Sequence, residues 1–167
     1  MGEIRFEKHE SSQIWIYSNP FLWLSCKRLH RYILKDKNGR GRISPEESIS
    51  KTNWMSNPSY GGMRVLPDEN FNKTFKKLYF NEFKKEVFRK LKHDIQLDSA
   101  WYQVYEPNSS SHHKWHTHLG VKGHDSRLFS SVLLLEIPDE KLNTTFLNEQ
   151  SGIEFKTKKK EGETLVF

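Results

Sequence analysis

Ser130-Ser131-Val132-Leu133-Leu134-Leu135-Glu136-Ile137 is the stretch on which the fold turns. Its apolar run is of strand length and far short of the ~20 residues that cross a bilayer, and no other uncharged apolar run approaches that length. Upstream stands Trp101-Tyr102-Gln103-Val104-Tyr105, and downstream stand Ile153-Glu154-Phe155 and Thr164-Leu165-Val166-Phe167, all rich in β-branched and aromatic residues. Pro107-Asn108, Gly120, Gly123, Pro138-Asp139, Gly152 and Gly162 punctuate them as turns. From residue 98 onward the sequence therefore predicts short strands joined by turns, the pattern of a sandwich or jelly roll.

Toward the N-terminus the pattern changes. Gln13-Ile14-Trp15-Ile16-Tyr17 predicts a strand, ended by the turn residues Ser18-Asn19-Pro20. Over residues 21–35 Leu22, Cys26, Leu29 and Ile33 recur at spacings of three and four, which predicts a helix with one core-facing stripe. Residues 36–70 hold Asn38-Gly39 and Tyr60-Gly61-Gly62 with isolated Trp54 and Tyr60, and read mostly as loop. Residues 71–91 predict a second helix, with Phe71, Phe75, Leu78, Val87 and Leu91 on one side and Lys76, Lys77, Lys84, Lys85 and Lys90 largely opposite. The expected fold class is α+β: N-terminal helices packed on a double-stranded β-helix (jelly-roll) core. A single domain is expected, its helical and loop part in residues 1–97 and the first part of the core in 98–167.

Composition narrows the class. Hydrophobic residues make up 35% and the 5 Trp, 6 Tyr and 11 Phe supply core material that a disordered chain lacks. One cysteine, Cys26, cannot form an internal disulfide, and Met1-Gly2-Glu3-Ile4-Arg5 lacks the apolar stretch of a secretory signal, so a soluble, cytoplasmic protein is expected. The net charge of +6 would suit an acidic partner. Because the lysines are scattered over helix faces and turns, neither a membrane nor a nucleic acid is the expected one.

Five of the eight histidines, His112, His113, His116, His118 and His124, fall in one short stretch between the first two strands of the β half. If Trp115-His116-Thr117-His118 is extended, the two-residue period puts His116 and His118 on one face. Neutral imidazole suits iron, zinc, copper and nickel, so such a pair can fill two coordination positions. By itself a His-x-His pair is equally at home in a solvated loop. Tyr105, Gln103 and Trp101 share one side of the preceding strand under the same alternation and could line a pocket beside the pair.

The order Tyr105, Pro-Asn-Ser turn, His116-x-His118, hydrophobic strand, Gly152 and Gly162-Glu163-Thr164-Leu165-Val166-Phe167 resembles that of the iron(II) and 2-oxoglutarate dependent oxygenases. More narrowly it is similar to short oxygenases of phage and bacterial type. Their core runs as a Trp-x-x-x-Tyr strand, a turn, His-x-His, a Ser-Gly-Val-type strand and a Gly-Asp-Leu-type strand ending in Phe-Pro. Residues 101–167 follow that order, whereas the first hundred match only loosely.

The resemblance implies a dioxygenase, a hydroxylase by default, using Fe(II) and 2-oxoglutarate. His116 and His118 would be two ligands of the facial triad, with His118 standing where many relatives have Asp. Tyr105 would hold the cosubstrate, with Gln103 beside it. The family's distal histidine and the basic partner of 2-oxoglutarate would fall after Phe167, so a truncated form is expected, with its last core strands missing. Two other functions fit the residues. A cupin-like metal-binding protein would take zinc or nickel through the same pair and ignore 2-oxoglutarate, and a jelly-roll structural module would take no metal. The substrate is open among amino-acid side chains, nucleobases and small metabolites.

Overall fold

The computed structural model describes residues 3–8, 14–36, 50–51, 54–55, 69–98, 100–104, 112–113, 129–137, 144–148, 152–157 and 160–167. Helix and strand are mixed, and the chain falls into two compact units, Met1–Cys26 with Gly120–Phe167, and Lys27–Leu119.

In the first unit β1 (Arg5–Lys8), β2 (Trp15–Ser18), β7 (Ser131–Leu133) and β10 (Glu163–Val166) form an antiparallel sheet in the order β1-β2-β10-β7. All four residues of β10 are buried although successive side chains point to opposite faces, so both faces of the sheet are covered there. Tyr17 and Thr164, directly opposite one another, are buried on one face, and Leu165 is fully buried on the other. Phe6 adds to the first face, stacked on Trp15 at 5.2 Å and edge-on to Tyr17 at 6.0 Å.

A hairpin of β8 (Thr144–Asn148) and β9 (Ile153–Thr157) forms a separate sheet, interposed in sequence between β7 and β10. Phe146 of that hairpin meets Phe167 edge-on at 5.0 Å, and the buried Thr157 hydroxyl donates to the Thr144 carbonyl at 3.2 Å. Thus the outer pair, β7 with β10, encloses the inner pair, β8 with β9.

The β7–β10 ladder runs past the strand ends. Ser130 and Phe167 exchange both backbone bonds, at 2.8 and 2.9 Å. At the other end two residues oppose one: Gly162 N–H donates to the Leu134 carbonyl, and Leu134 N–H donates to that of Glu163. With Gly162 at φ 80° this is a glycine bulge, closed by a tight turn in which Glu163 N–H reaches the Lys160 carbonyl.

A 3-10 turn at Pro20–Leu22 leads from the first unit into α1 (Trp23–Asp36), whose residues from Lys27 on belong to the second; Leu22 of the turn and Cys26, Leu29 and Ile33 of the helix, the stripe expected from spacing, are buried. Asn19 caps the turn by accepting from Phe21 N–H at 3.0 Å. The second helix departs from expectation. It is α2 (Glu69–Phe75), a π segment Lys76–Phe80 and α3 (Asn81–Leu91), and it buries Phe71, Tyr79, Phe80, Phe83 and Val87. Phe75, Leu78 and Leu91 are only half-buried. A π turn takes in one extra residue and rotates everything beyond it, so regular spacing counted from Phe71 misses Phe80 and Phe83, whereas Tyr79, eight residues on, fits the spacing and is absent from the expected face. Their rings continue the stack begun by Phe71 and Phe75.

Three strands were not expected, β1, β8 and a short one at His112–His113, and a further difference lies in residues 36–70, where β3 (Ser50–Lys51) and β4 (Trp54–Met55) form. Among the described residues no helix is long and apolar enough to cross a membrane.

Arg5, Ser18 and Glu163 stand in one cross-strand row, and the small Ser18 lets the Arg5 guanidinium reach over it to Glu163 Oε1 at 3.0 Å. Glu163 is 5% exposed while the Arg5 side chain is 45% exposed. Arg5→Ala therefore strands a buried carboxylate and is expected to cost about 2 kcal/mol, whereas Glu163→Gln leaves an arginine that rehydrates and costs about 1 kcal/mol. Urea unfolding of the two variants measures the order; equal costs would show that the pair is not set by burial. Gly162→Ala meets no atom within 4 Å, so its cost is the backbone strain alone, about 1–2 kcal/mol in the same assay.

Candidate functional site

The strand that leads to the histidine cluster is fixed by buried polar contacts rather than by its own length. Tyr102 is 5% exposed, its ring edge-on to Phe71 at 5.1 Å and its hydroxyl donating to Asp36 Oδ2 at 2.7 Å. Two residues earlier, Ala100 N–H donates to Asn72 Oδ1 at 2.7 Å. Residues 100–102 are thus tied to the end of α1 and to α2, and β5 (Gln103–Val104) starts from a set point. Tyr102 is on the opposite parity to Trp101 and Gln103, and the burial follows: Trp101 is 46% exposed and Gln103 half-buried. Alternation alone left open which side faced the core.

Each of the two short strands of this stretch pairs antiparallel with residues from the 36–70 segment. β5 pairs with β4 in the register Trp54↔Val104 and Met55↔Gln103. β6 (His112–His113) pairs with β3 in the register Ser50↔His113 and Lys51↔His112. Ser50–Lys51 and Trp54–Met55 thus each run antiparallel to a strand of this stretch, the earlier pair against His112–His113 and the later against Gln103–Val104. That pairing joins positions far apart in sequence and leaves no local signal beyond the aromatic character of Trp54.

Of the expected site residues, Gln103 is placed on β5, paired with Met55 and engaged in a polar interaction of its own. Tyr105, His116 and His118 lie outside the described residues, as does His124. The described course of the cluster ends at His113, three positions before His116. Among the described residues no group of three or more His, Cys, Asp or Glu is assembled in a way that could hold a metal ion. The residues that sequence reasoning missed are those that hold the approach: Asp36, Asn72, Phe71 and Tyr102. Only Tyr102 could have been suspected, as an aromatic with a hydroxyl in a strand, which when buried needs a partner.

No family model, curated protein or solved structure matches this chain.

Tyr102→Phe removes the donor to Asp36 and leaves the ring packed on Phe71. The expected loss is about 1.5–3 kcal/mol, the range for a hydrogen bond to a charged group. Asp36→Asn should cost less, because its amide oxygen can still accept from the hydroxyl; thermal unfolding of both variants checks the order.

Proposed function

We propose that this chain carries part of the active site of an iron(II)- and 2-oxoglutarate-dependent dioxygenase, acting as a hydroxylase on an amino-acid side chain, nucleobase or small metabolite. The observation that carries the reading is the order of residues 101–167, in which His116-Thr117-His118 stands between the Tyr105 strand and the two strands that end at Phe167.

The donor set fits iron as far as it extends. Two neutral imidazoles at alternate positions of an extended segment can occupy adjacent positions of a facial triad and leave others open. His116 and His118 would hold the metal, Tyr105 would hold the cosubstrate, and Gln103 would line the pocket. When bound, iron and 2-oxoglutarate would supply the chemistry with dioxygen as the oxidant, one oxygen atom going to 2-oxoglutarate as it becomes succinate and carbon dioxide and the other to the substrate. The protein's share is position and exclusion of water. The anchor through Tyr102, Asp36 and Asn72 serves the first, since Gln103 follows Tyr102 directly and Tyr105 comes two residues later.

Calorimetry on the full-length protein tests this. Anaerobic titration should show 2-oxoglutarate binding that requires Fe(II) or Mn(II), and succinate should form once oxygen and substrate are supplied. His116→Ala and His118→Ala should each weaken metal binding by at least about 100-fold, more than the loss of an outer-shell partner typically costs. Metal binding without 2-oxoglutarate binding would instead support a cupin-like metal protein. Indifference to both histidine substitutions would support a metal-free module.

A further inference from the structure

The two edges of the sheet β1-β2-β10-β7 are built differently. At one edge β1 carries Arg5, Glu7 and Lys8, all exposed, charges that an added strand would have to match or desolvate. At the other, the stretch from Ser130 to Leu135 has neither a charge nor a proline, and among the described residues no strand pairs with the outer side of β7. Phe129 and Val132, at 58% and 38%, are exposed along it.

The hydrogen-bond phase says which groups face outward. Ser130 exchanges both backbone bonds with Phe167, Val132 stands opposite Leu165, and Leu134 N–H donates to the Glu163 carbonyl. The even positions thus bond to β10. In an antiparallel ladder the alternate residues turn their N–H and C=O the other way, so those of Ser131, Leu133 and Leu135 point away from β10. Leu133 and Leu135 are half-buried, which puts these polar groups beside apolar side chains that hinder their hydration. A row of donors and acceptors at this spacing is completed by another extended chain.

We propose that β7 pairs antiparallel with β7 of a second copy of this chain, about a two-fold axis through Leu133. The stretch is self-complementary about that residue: Leu133 meets its own counterpart, Val132 faces Leu134, Ser131 faces Leu135, and the exposed Phe129 faces Ile137. The one charge, Glu136, faces Ser130, so no like charges meet. Moving the axis to Leu134 sets Phe129 against Asp139 and Ser130 against Pro138, and moving it to Val132 sets Leu128 against Glu136. An axis perpendicular to the sheet keeps each face on its own side. The doubled sheet ends in a charged β1 at both edges, so association stops at two. The surface is independent of the metal-site reading, since none of its residues belongs to the expected site.

Sedimentation velocity on the full chain tests it, and a monomer should give way to a dimer as concentration rises from about 1 to about 100 μM. Val132→Lys sets ammonium groups along the joined edges and should weaken the dimer at least about tenfold. Glu7→Gln makes the same change of net charge on the opposite edge and should leave it within about twofold. A cysteine series reads the register. Across the axis the Cα atoms of residue 133 stand about 5.5 Å apart, so Leu133→Cys should cross-link two chains under mild oxidation. Ser131→Cys should cross-link no more than the parent chain, because its two copies lie more than about 13 Å apart. Should Val132→Lys lose its native circular dichroism, the cysteine series decides. A monomer at every concentration, as when a strand from elsewhere in the chain covers this edge, would overturn the proposal. So would open-ended growth, equal weakening by Val132→Lys and Glu7→Gln, or equal cross-linking at residues 131 and 133.

Discussion

Strand β10 is hydrogen-bonded along both edges, and the rest of the first unit depends on that. A strand with both edges paired and both faces buried offers no group to water, so each of its backbone donors and acceptors needs a protein partner. β2 supplies one set and β7 the other, from opposite ends of the chain. The sheet therefore closes only after the last described residues have been brought to the first, a long-range pairing whose loop-closure entropy must be met before its contacts return anything. Buried aromatic and aliphatic groups on both faces, Tyr17 with Thr164 and Leu165, supply the return. The Arg5–Glu163 pair adds direction rather than much net energy. A carboxylate at that depth is tolerated because the guanidinium and the Lys160 N–H both meet it, and any other register of β1 would lose the guanidinium.

In the second unit the comparable constraint is the aromatic ladder of Phe71, Phe75, Tyr79 and Phe83, running through the π segment. The π turn leaves a backbone group poorly placed for regular helix bonding, and the gain is that Tyr79, Phe80 and Phe83 all turn inward. Phe71 then serves two neighbours at once, Tyr32 of α1 and Tyr102 at the entry to β5. Because the Tyr102 hydroxyl also reaches Asp36, the start of β5 is referred to both helices. Short strands of two residues would otherwise have little to hold their register.

How much of this was legible follows from range. The stripe of α1 is local, written at spacings of three and four in a stretch with no interruption, and all four expected residues are buried. The second helix is legible as a helix and misread as a face, because a single extra residue in one turn is invisible to a fixed period. β7, β9 and β10 show in composition, β8 went unread although its two threonines and Phe146 favour a strand, and β1 alternates charges around the single buried Phe6. Partner choice was not legible anywhere: nothing local in Ser50, Lys51, Trp54 or Met55 names His113, His112, Val104 or Gln103. Near the candidate site the support of the strand that leads to it was not legible. Asp36 and Asn72 look like ordinary helix-end polar residues until Tyr102 and Ala100 are placed against them.

The electrostatics of the proposed metal site follow from the residue that replaces the usual acid. With His118 in place of a carboxylate, the two donors of this segment bring no negative charge to a dication, and a third neutral ligand would leave the full +2 uncompensated in a shielded pocket. Desolvating such a centre is costly, and the cost falls as anionic ligands arrive. A dianionic cosubstrate would therefore contribute more to holding the metal here than at a site with its own carboxylate. Metal and 2-oxoglutarate would bind with strong positive coupling, each raising the affinity of the other by the same factor. On the proposed reading the pair His116 and His118 would thus be a weak metal site alone and a selective one in company, the behaviour of a centre that should assemble only when its oxidisable cosubstrate is present.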